Sequence, residues 1–311
     1  MALEPIRPAV KRHSGAKVRG GWATAADLRR LWPPLSELAV EDAAVLRAQA
    51  EIRTVIAQER VCGACQGYER CGKVGDARGM YDRLSMYQGE LFLQTAHCQP
   101  FHEYQAVRLV ERYRAFATRT AFDRACSFTN FPEVQRHRHP QTVEAARKLA
   151  DDYRVGASAK GLYVFGPAGV GKTHLLNAIV NRLEERRIPV IIVQAEAMFD
   201  RLRREIGEGK EIDHTLEAFA TVPVLALDEI GQERANEFTL EKLFRVINHR
   251  FSAQLPTLFA SNYAPPDLYR RLPADFVALT DPLKSRIIGM TRCAYMDGED
   301  FRTASMEMLD R

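Results

Sequence analysis

No apolar run in this 311-residue chain approaches the ~20 residues a helix needs to cross a bilayer, so no transmembrane segment is expected. The opening Met1-Ala2-Leu3-Glu4-Pro5 lacks the apolar core of a secretory signal, and a cytoplasmic location follows as an expectation. There is no internal repeat and no long low-complexity tract. Neither sign of charge dominates: 44 Lys and Arg face 40 Asp and Glu, and 46% apolar with 27% charged residues is ordinary globular composition. The lean of +4, with arginines at Arg108, Arg112, Arg114, Arg119, Arg124, Arg136 and Arg138, permits contact with nucleic-acid phosphates without demanding it. Cysteine is scarce outside one short region. Of the two that stand alone, Cys126 and Cys293, the latter lies in the apolar run Cys293-Ala294-Tyr295-Met296 and is expected to be buried.

What is present is more informative. Gly166-Pro167-Ala168-Gly169-Val170-Gly171-Lys172-Thr173 fits G-x-x-x-x-G-K-[ST]. Its glycines let backbone N–H groups close around phosphates, Lys172 neutralises their charge, and the Thr173 hydroxyl suits Mg²⁺. Residues 161–165 read as a buried strand before it, and apolar Leu175, Leu176, Ile179 and Leu183 mark a helix after it, starting at His174 beside the phosphate-facing helix end. This is the order a P-loop requires, and it predicts a bound nucleoside triphosphate.

A second apolar run, residues 222–230, ends in Asp228-Glu229, which fits a buried strand presenting a metal-holding carboxylate and a water-polarising one. Residues 257–262 read as a third strand ending in Asn262, placed to bond the lytic water or the γ-phosphate; it resembles the sensor-1 asparagine of AAA+ ATPases. In Asp281-Pro282-Leu283-Lys284-Ser285-Arg286, Pro282 suits a helix N-terminus, and Arg286 on that helix is a candidate finger toward a neighbouring subunit's nucleotide. Arg201, Arg203 and Arg204 on a predicted helix are candidate DNA contacts.

Four cysteines cluster as Cys62-x2-Cys65-x5-Cys71 with Cys98 further on, beside His97 and His102. In a reducing compartment such clustering argues for metal rather than disulfides, and Cys62, Cys65, Cys71 and Cys98 form a candidate zinc set. His97 as a replacement ligand and a redox role for Cys62 and Cys65 stay open.

The order of elements divides the chain into a flexible segment (1–23), a helical and zinc-binding domain (24–104), a connecting helix and linker (105–140), and a nucleotide-binding domain (141–311). Thr24 is a plausible N-cap, Leu91-Phe92-Leu93 suggests a short strand, and residues 103–122 read as one basic helix. From residue 161 onward strand and helix alternate, which predicts an α/β domain with a mainly parallel sheet covered on both faces. Fifteen residues follow Met296, so no separate C-terminal helical lid is expected.

Taken together, the P-loop, Leu227-Asp228-Glu229-Ile230-Gly231, Ser261-Asn262, Ser285-Arg286-Ile287, Met296-Asp297-Gly298-Glu299 and the Cys62, Cys65, Cys71, His97-Cys98-Gln99-Pro100 pattern resemble the bacterial replicative-helicase loaders of the DnaI/DnaC type. The resemblance implies an AAA+ P-loop domain that hydrolyses ATP with Mg²⁺, binds single-stranded DNA and self-associates through its nucleotide sites, behind a zinc-binding domain that docks on the hexameric replicative helicase. It implies roles for Lys172, Asp228, Glu229, Asn262 and Arg286 in turnover, and for Arg302 as a sensor-2 arginine. The chain departs from the family where a histidine ligand is expected after the third cysteine: Gly79-Met80-Tyr81-Asp82 has none. An IstB-like ATPase assisting a DNA transposase is the related alternative, and a module that holds ATP as a static ligand is another.

Overall fold

The computed structural model describes residues 24–301, so the expectations for residues 1–23 and for Arg302 lie outside the described residues. The chain forms two compact units divided after Tyr104. In the first, Thr24 caps α1 (Ala25–Leu31) by accepting the Asp27 amide, and α2 (Asp42–Arg47) and α3 (Gln49–Cys62) follow. Leu28, Leu35, Val45, Ile52 and Val55 from the helical segments pack with Leu84 and Leu91. Those two leucines come from an antiparallel hairpin, β1 (Met80–Tyr87) and β2 (Glu90–His97), in register from Met80↔His97 to Tyr87↔Glu90. Gln88 and Gly89 turn it, both at positive φ. Only the start of β2, Leu91-Phe92-Leu93, was legible in the sequence, because a two-stranded sheet with one thin apolar contact shows little alternation.

The helix read as residues 103–122 is shorter and earlier: α4 is Gln99–Arg114. Beyond it the Thr118 amide donates to the Ile192 carbonyl, and Thr120 opens a separate short helix, α5 (Ala121–Ala125), through a reciprocal capping box with Asp123. The cap ends the basic run as a single helix.

The second unit continues with α6 (Glu133–Arg138), α7 (Pro140–Asp152), β3 (Gly161–Phe165), α8 (Lys172–Glu185), β4 (Val190–Gln194), α9 (Ala195–Gly207) and α10 (Asp213–Thr221). It closes with β5 (Val224–Asp228), α11 (Glu237–Ser252), β6 (Thr257–Ser261), α12 (Val277–Met290) and β7 (Thr291–Tyr295). The five strands pair in the order β4-β5-β6-β3-β7, every pair parallel. Side chains alternate between two cores: Tyr163, Ile191, Leu225 and Phe259 face one, and Leu162, Ile192, Ala226 and Leu258 the other. Strands buried on both faces must read as unbroken apolar runs, which is why they were legible. This is the AAA+ P-loop architecture. Its consequence for function is local: β5, β6 and β3 are neighbours, so the loops leaving their carboxyl ends share one crevice.

Two further expectations are corrected. Pro282 does not begin a helix; it lies inside α12, where the preceding 3₁₀ turn Ala274–Phe276 already starts the winding and the missing N–H costs one intrahelical bond. Cys293 is exposed rather than buried, because β7 is the edge of the sheet. Among the described residues, no helix is long and apolar enough to cross a membrane.

Candidate nucleotide-binding site

β3 delivers the chain into the glycine loop, and α8 leaves it with Lys172 at its first turn. Gly166 has φ +148°, and a side chain there would place Cβ 1.8 Å from the Met296 carbonyl oxygen, so the close approach admits only glycine. Gly171, at φ +96°, turns the backbone left-handed immediately before the helix. Lys172 is buried; its Nζ donates to the carbonyls of Gly166 at 2.9 Å and of Pro167, and to Asn262 Oδ1 at 2.9 Å. Thus the loop lysine and the end of β6 are already in contact. Val170 points the other way, into the core.

Asp228, at the end of β5, is 4% exposed and accepts hydrogen bonds from the Thr173 hydroxyl and, at 2.9 Å, from the Glu229 amide. Burial pushes its carboxyl up to about 6, against the opposing pull of those bonds and of Lys172. A carboxylate held in such a place, next to a P-loop hydroxyl, is the donor pair that a hard divalent cation requires. Glu229 follows at φ 55°, a left-handed position that a non-glycine residue seldom occupies.

Gly169, Lys172, Thr173, Asp228, Glu229 and Asn262 line one cavity of ≈ 580 Å³, with Ala168, Gly171 and His174 also on its wall. Gly166 and Pro167 shape the loop behind them. The His174 ring lies within hydrogen-bonding distance of the Ser127 carbonyl and Asn130 Oδ1, and burial lowers its pKa. Sequence reasoning missed Phe122, Asp123, Pro132, Gln232 and Phe301, which also line the wall, beside Ala260 and Ser261 of β6. Phe122 lies on the short helix α5, and Gln232 and Phe301 lie in irregular segments, none of them with a motif; only Phe131-Pro132 gave a signal, as a break between helices. The residues of this cavity fit a nucleoside triphosphate and Mg²⁺: backbone turns only glycine can make, one buried cation, one buried carboxylate beside a hydroxyl, and a mouth with a second carboxylate and an amide.

Arg286 is not on this wall. Its Nε donates to Asn248 Oδ1 at 2.7 Å, its Nη1 to the Pro282 carbonyl, and its guanidinium lies 4.8 Å from the Phe244 ring centre. Of the candidate DNA contacts, Arg201 is bound to Glu205 and stacked on Phe116, and Arg203 is shared by Glu196 and Asp200; Arg204 is exposed. Arg119 is likewise occupied, buried against Glu184 and Asn181.

In the first unit, Cys62, Cys65, Cys71 and Cys98 line one cavity of ≈ 480 Å³ together with His97 and Tyr81. Cys62 ends α3, the Cys65 amide donates to the Cys62 carbonyl, and the Cys98 amide donates to the Gly79 carbonyl at 2.8 Å. The Cys71 sulfur receives the backbone amides of Gly79 and Lys73, which lower its pKa, whereas burial raises that of Cys62. His97 is stacked on Phe101, ring centres 4.0 Å apart. The thiols share a wall but are not drawn to a point: among the described residues, no three His, Cys, Asp or Glu side chains are grouped closely enough to hold a metal ion. The donor chemistry suits a soft ion, and the closed tetrahedron is not formed.

The profile of the bacterial DnaA ATPase domain matches residues 122–291. The replicative helicase loader DnaI of Bacillus subtilis (strain 168) is 32% identical over 156 residues, covering 48% of this chain and 50% of that protein, so the chain spans about half the length of this curated relative. An insertion-sequence protein of Mycobacterium tuberculosis, described as ATP-binding, is 25% identical over 211 residues, 68% of this chain and 80% of the relative. A crystal structure of DnaI superposes with a TM-score of 0.51 and 26% identity, covering 61% of this chain and 98% of that one. With its P-loop cavity between the ends of β3, β5 and β6, the chain belongs to the bacterial DnaA ATPase-domain family and is similar to the replicative helicase loader DnaI.

Proposed function

We propose that this protein is an ATP-dependent loader that places a hexameric replicative helicase on single-stranded DNA, acting in the cytoplasm. The observation that carries the reading is the convergence of Lys172, Thr173, Asp228, Glu229 and Asn262 on one cavity in a chain similar to DnaI. In this role Lys172 would leave its loop carbonyls for the β- and γ-phosphates, and Thr173 with Asp228 would hold Mg²⁺, which would supply neutralisation of phosphate charge. Glu229 orients and polarises the attacking water, and Asn262 bonds that water or the γ-phosphate. Arg286, engaged away from the chain's own cavity, serves as the finger for a neighbouring copy, so turnover depends on self-association. ATP then acts as a switch, favouring the assembled state because its γ-phosphate contacts differ between conformations.

We further assign the first unit to docking on the helicase, with Cys62, Cys65, Cys71 and Cys98, which line one cavity, as the residues that would hold a structural zinc ion. The test is to mix the purified chain with candidate hexameric helicases and ATP and to measure complex mass with and without single-stranded DNA. A stable complex whose mass exceeds the helicase alone supports the loader; no complex with any of them overturns it. The similarity to an insertion-sequence protein over most of that protein's length favours a second reading, a helper of a DNA transposase. Pull-down of a transposase in place of a helicase, without zinc in the chain, would select it.

A further inference from the structure

The turn carrying Glu229 is held from behind by an acid that does not line the nucleotide cavity. Glu233 is 6% exposed; its Oε2 accepts the Gly231 amide at 2.7 Å and its Oε1 accepts the Tyr269 hydroxyl. The backbone at both ends of this link is unusual. Glu229 has φ 55° and Gly231 φ +89°, while Tyr269 has φ 60°. Non-glycine residues remain in the left-handed region only where surrounding contacts over-determine them. Here the contacts can be named.

On one side the turn is fixed to β6: the Ile230 amide donates to the Ala260 carbonyl at 3.1 Å, and the Ser261 hydroxyl donates to the Ile230 carbonyl at 2.6 Å. On the other, the segment after Asn262 closes over it. A Cβ on Gly231 would lie 2.7 Å from Leu268 Cδ2, and the Tyr163 hydroxyl donates to the Tyr263 carbonyl at 2.9 Å, anchoring that segment to β3. Glu233 is the polar bolt between the two. Burial pushes its carboxyl up while the Gly231 and Tyr269 donors pull it down.

We propose that Glu233 is a positioning residue for ATP turnover: by gripping the Gly231 amide and the Tyr269 hydroxyl, it fixes the turn that aims the Glu229 carboxylate into the cavity. The role rests on the ATP-hydrolysis reading above. It makes no contact with substrate, so its signature is a loss in kcat carried entirely through Glu229.

The test compares full-length Glu233→Ala, Glu233→Gln and Tyr269→Phe with wild type in steady-state turnover, in nucleotide titration and in thermal unfolding. Glu233→Ala should lower kcat by about 10- to 100-fold and Tyr269→Phe by about 3- to 10-fold, with ATP affinity within about 3-fold of wild type. Glu233→Gln, whose amide oxygen still accepts the Gly231 N–H, should recover most of the rate. Added to Glu229→Gln, Glu233→Ala should reduce the residual rate no further. A folded Glu233→Ala at wild-type rate overturns the role and leaves the ATPase reading standing, as does a further multiplied loss in the Glu229→Gln background. A wild-type chain that binds ATP without turnover overturns both. If Glu233→Ala does not fold, Tyr269→Phe, which removes a single hydroxyl, decides by the same criteria.

Discussion

Replacing Arg250 should loosen the two strands that deliver Asp228 and Asn262, although Arg250 touches neither. It lies on α11 and is 0% exposed. Its Nη1 donates to the carbonyls of Phe219, Ala220 and Val222, its Nη2 to that of Pro256, and its Nε to the Thr257 hydroxyl. These acceptors are the otherwise unsatisfied end of α10, the lead into β5 and the start of β6. Burial pushes the guanidinium down to about 9, still protonated at neutral pH. The Pro256 carbonyl keeps the Leu225 amide and the Thr257 hydroxyl keeps the Leu255 carbonyl, so the acceptors stranded are the carbonyls of Phe219, Ala220 and Val222; at ~1–2 kcal/mol each, they put the loss for Arg250→Met at roughly 3–5 kcal/mol after the relief of desolvating the charge. Arg250→Lys keeps the charge but not the fork, and should lose about 2 kcal/mol. Against a domain stability of ~5–15 kcal/mol this is a large fraction. Urea unfolding followed by far-UV circular dichroism should show the midpoint of Arg250→Met fall by roughly 2 M, for a slope near 2 kcal/mol/M. A shift below about 0.5 M would refute the reasoning, because it would mean that these carbonyls find other donors.

Lys172→Ala should abolish tight ATP binding, while Glu229→Gln should keep binding and lose turnover; nucleotide titration beside a phosphate-release assay checks both. Arg286→Ala should retain ATP binding but lose turnover by about 10³-fold, and mixing it with Lys172→Ala should restore part of the rate, since each copy supplies what the other lacks. Full inactivity of every mixture argues against a finger supplied in trans. For the cysteine cluster, one zinc per chain is expected by elemental analysis, falling sharply in Cys62→Ser and in Cys98→Ser. Chelation should open Cys62, Cys65, Cys71 and Cys98 to a thiol reagent, while Cys126, 2% exposed and with its thiol pushed up to about 11, stays unlabelled in either state.

How much of this could be read without coordinates follows the physics of each element. The glycine loop was legible because its backbone cannot be made by other residues: Gly166 faces a carbonyl where a side chain would lie 1.8 Å away. β3, β4, β5 and β6 were legible because burial on both faces leaves no polar interruption. The hairpin of the first unit has one half-exposed face, and polar Asp82, Arg83 and Ser85 along β1 conceal it. The same limit applies within the site. Lys172, Asp228 and Asn262 announce themselves at strand and loop ends, whereas Glu233, Tyr269 and Arg250 act through long-range bonds to backbone or to one another. Nothing local distinguishes Glu233 from any solvated acid after a turn, or Arg250 from the exposed arginines of a basic helix. What separates them is desolvation: a charge taken out of water must be met by several donors or acceptors, and those come from segments up to 36 residues away. The residues hardest to find in the sequence are thus the ones whose partners are most widely scattered, and their loss should propagate to the cavity through β5, β6 and the Glu229 turn rather than through any contact with the nucleotide.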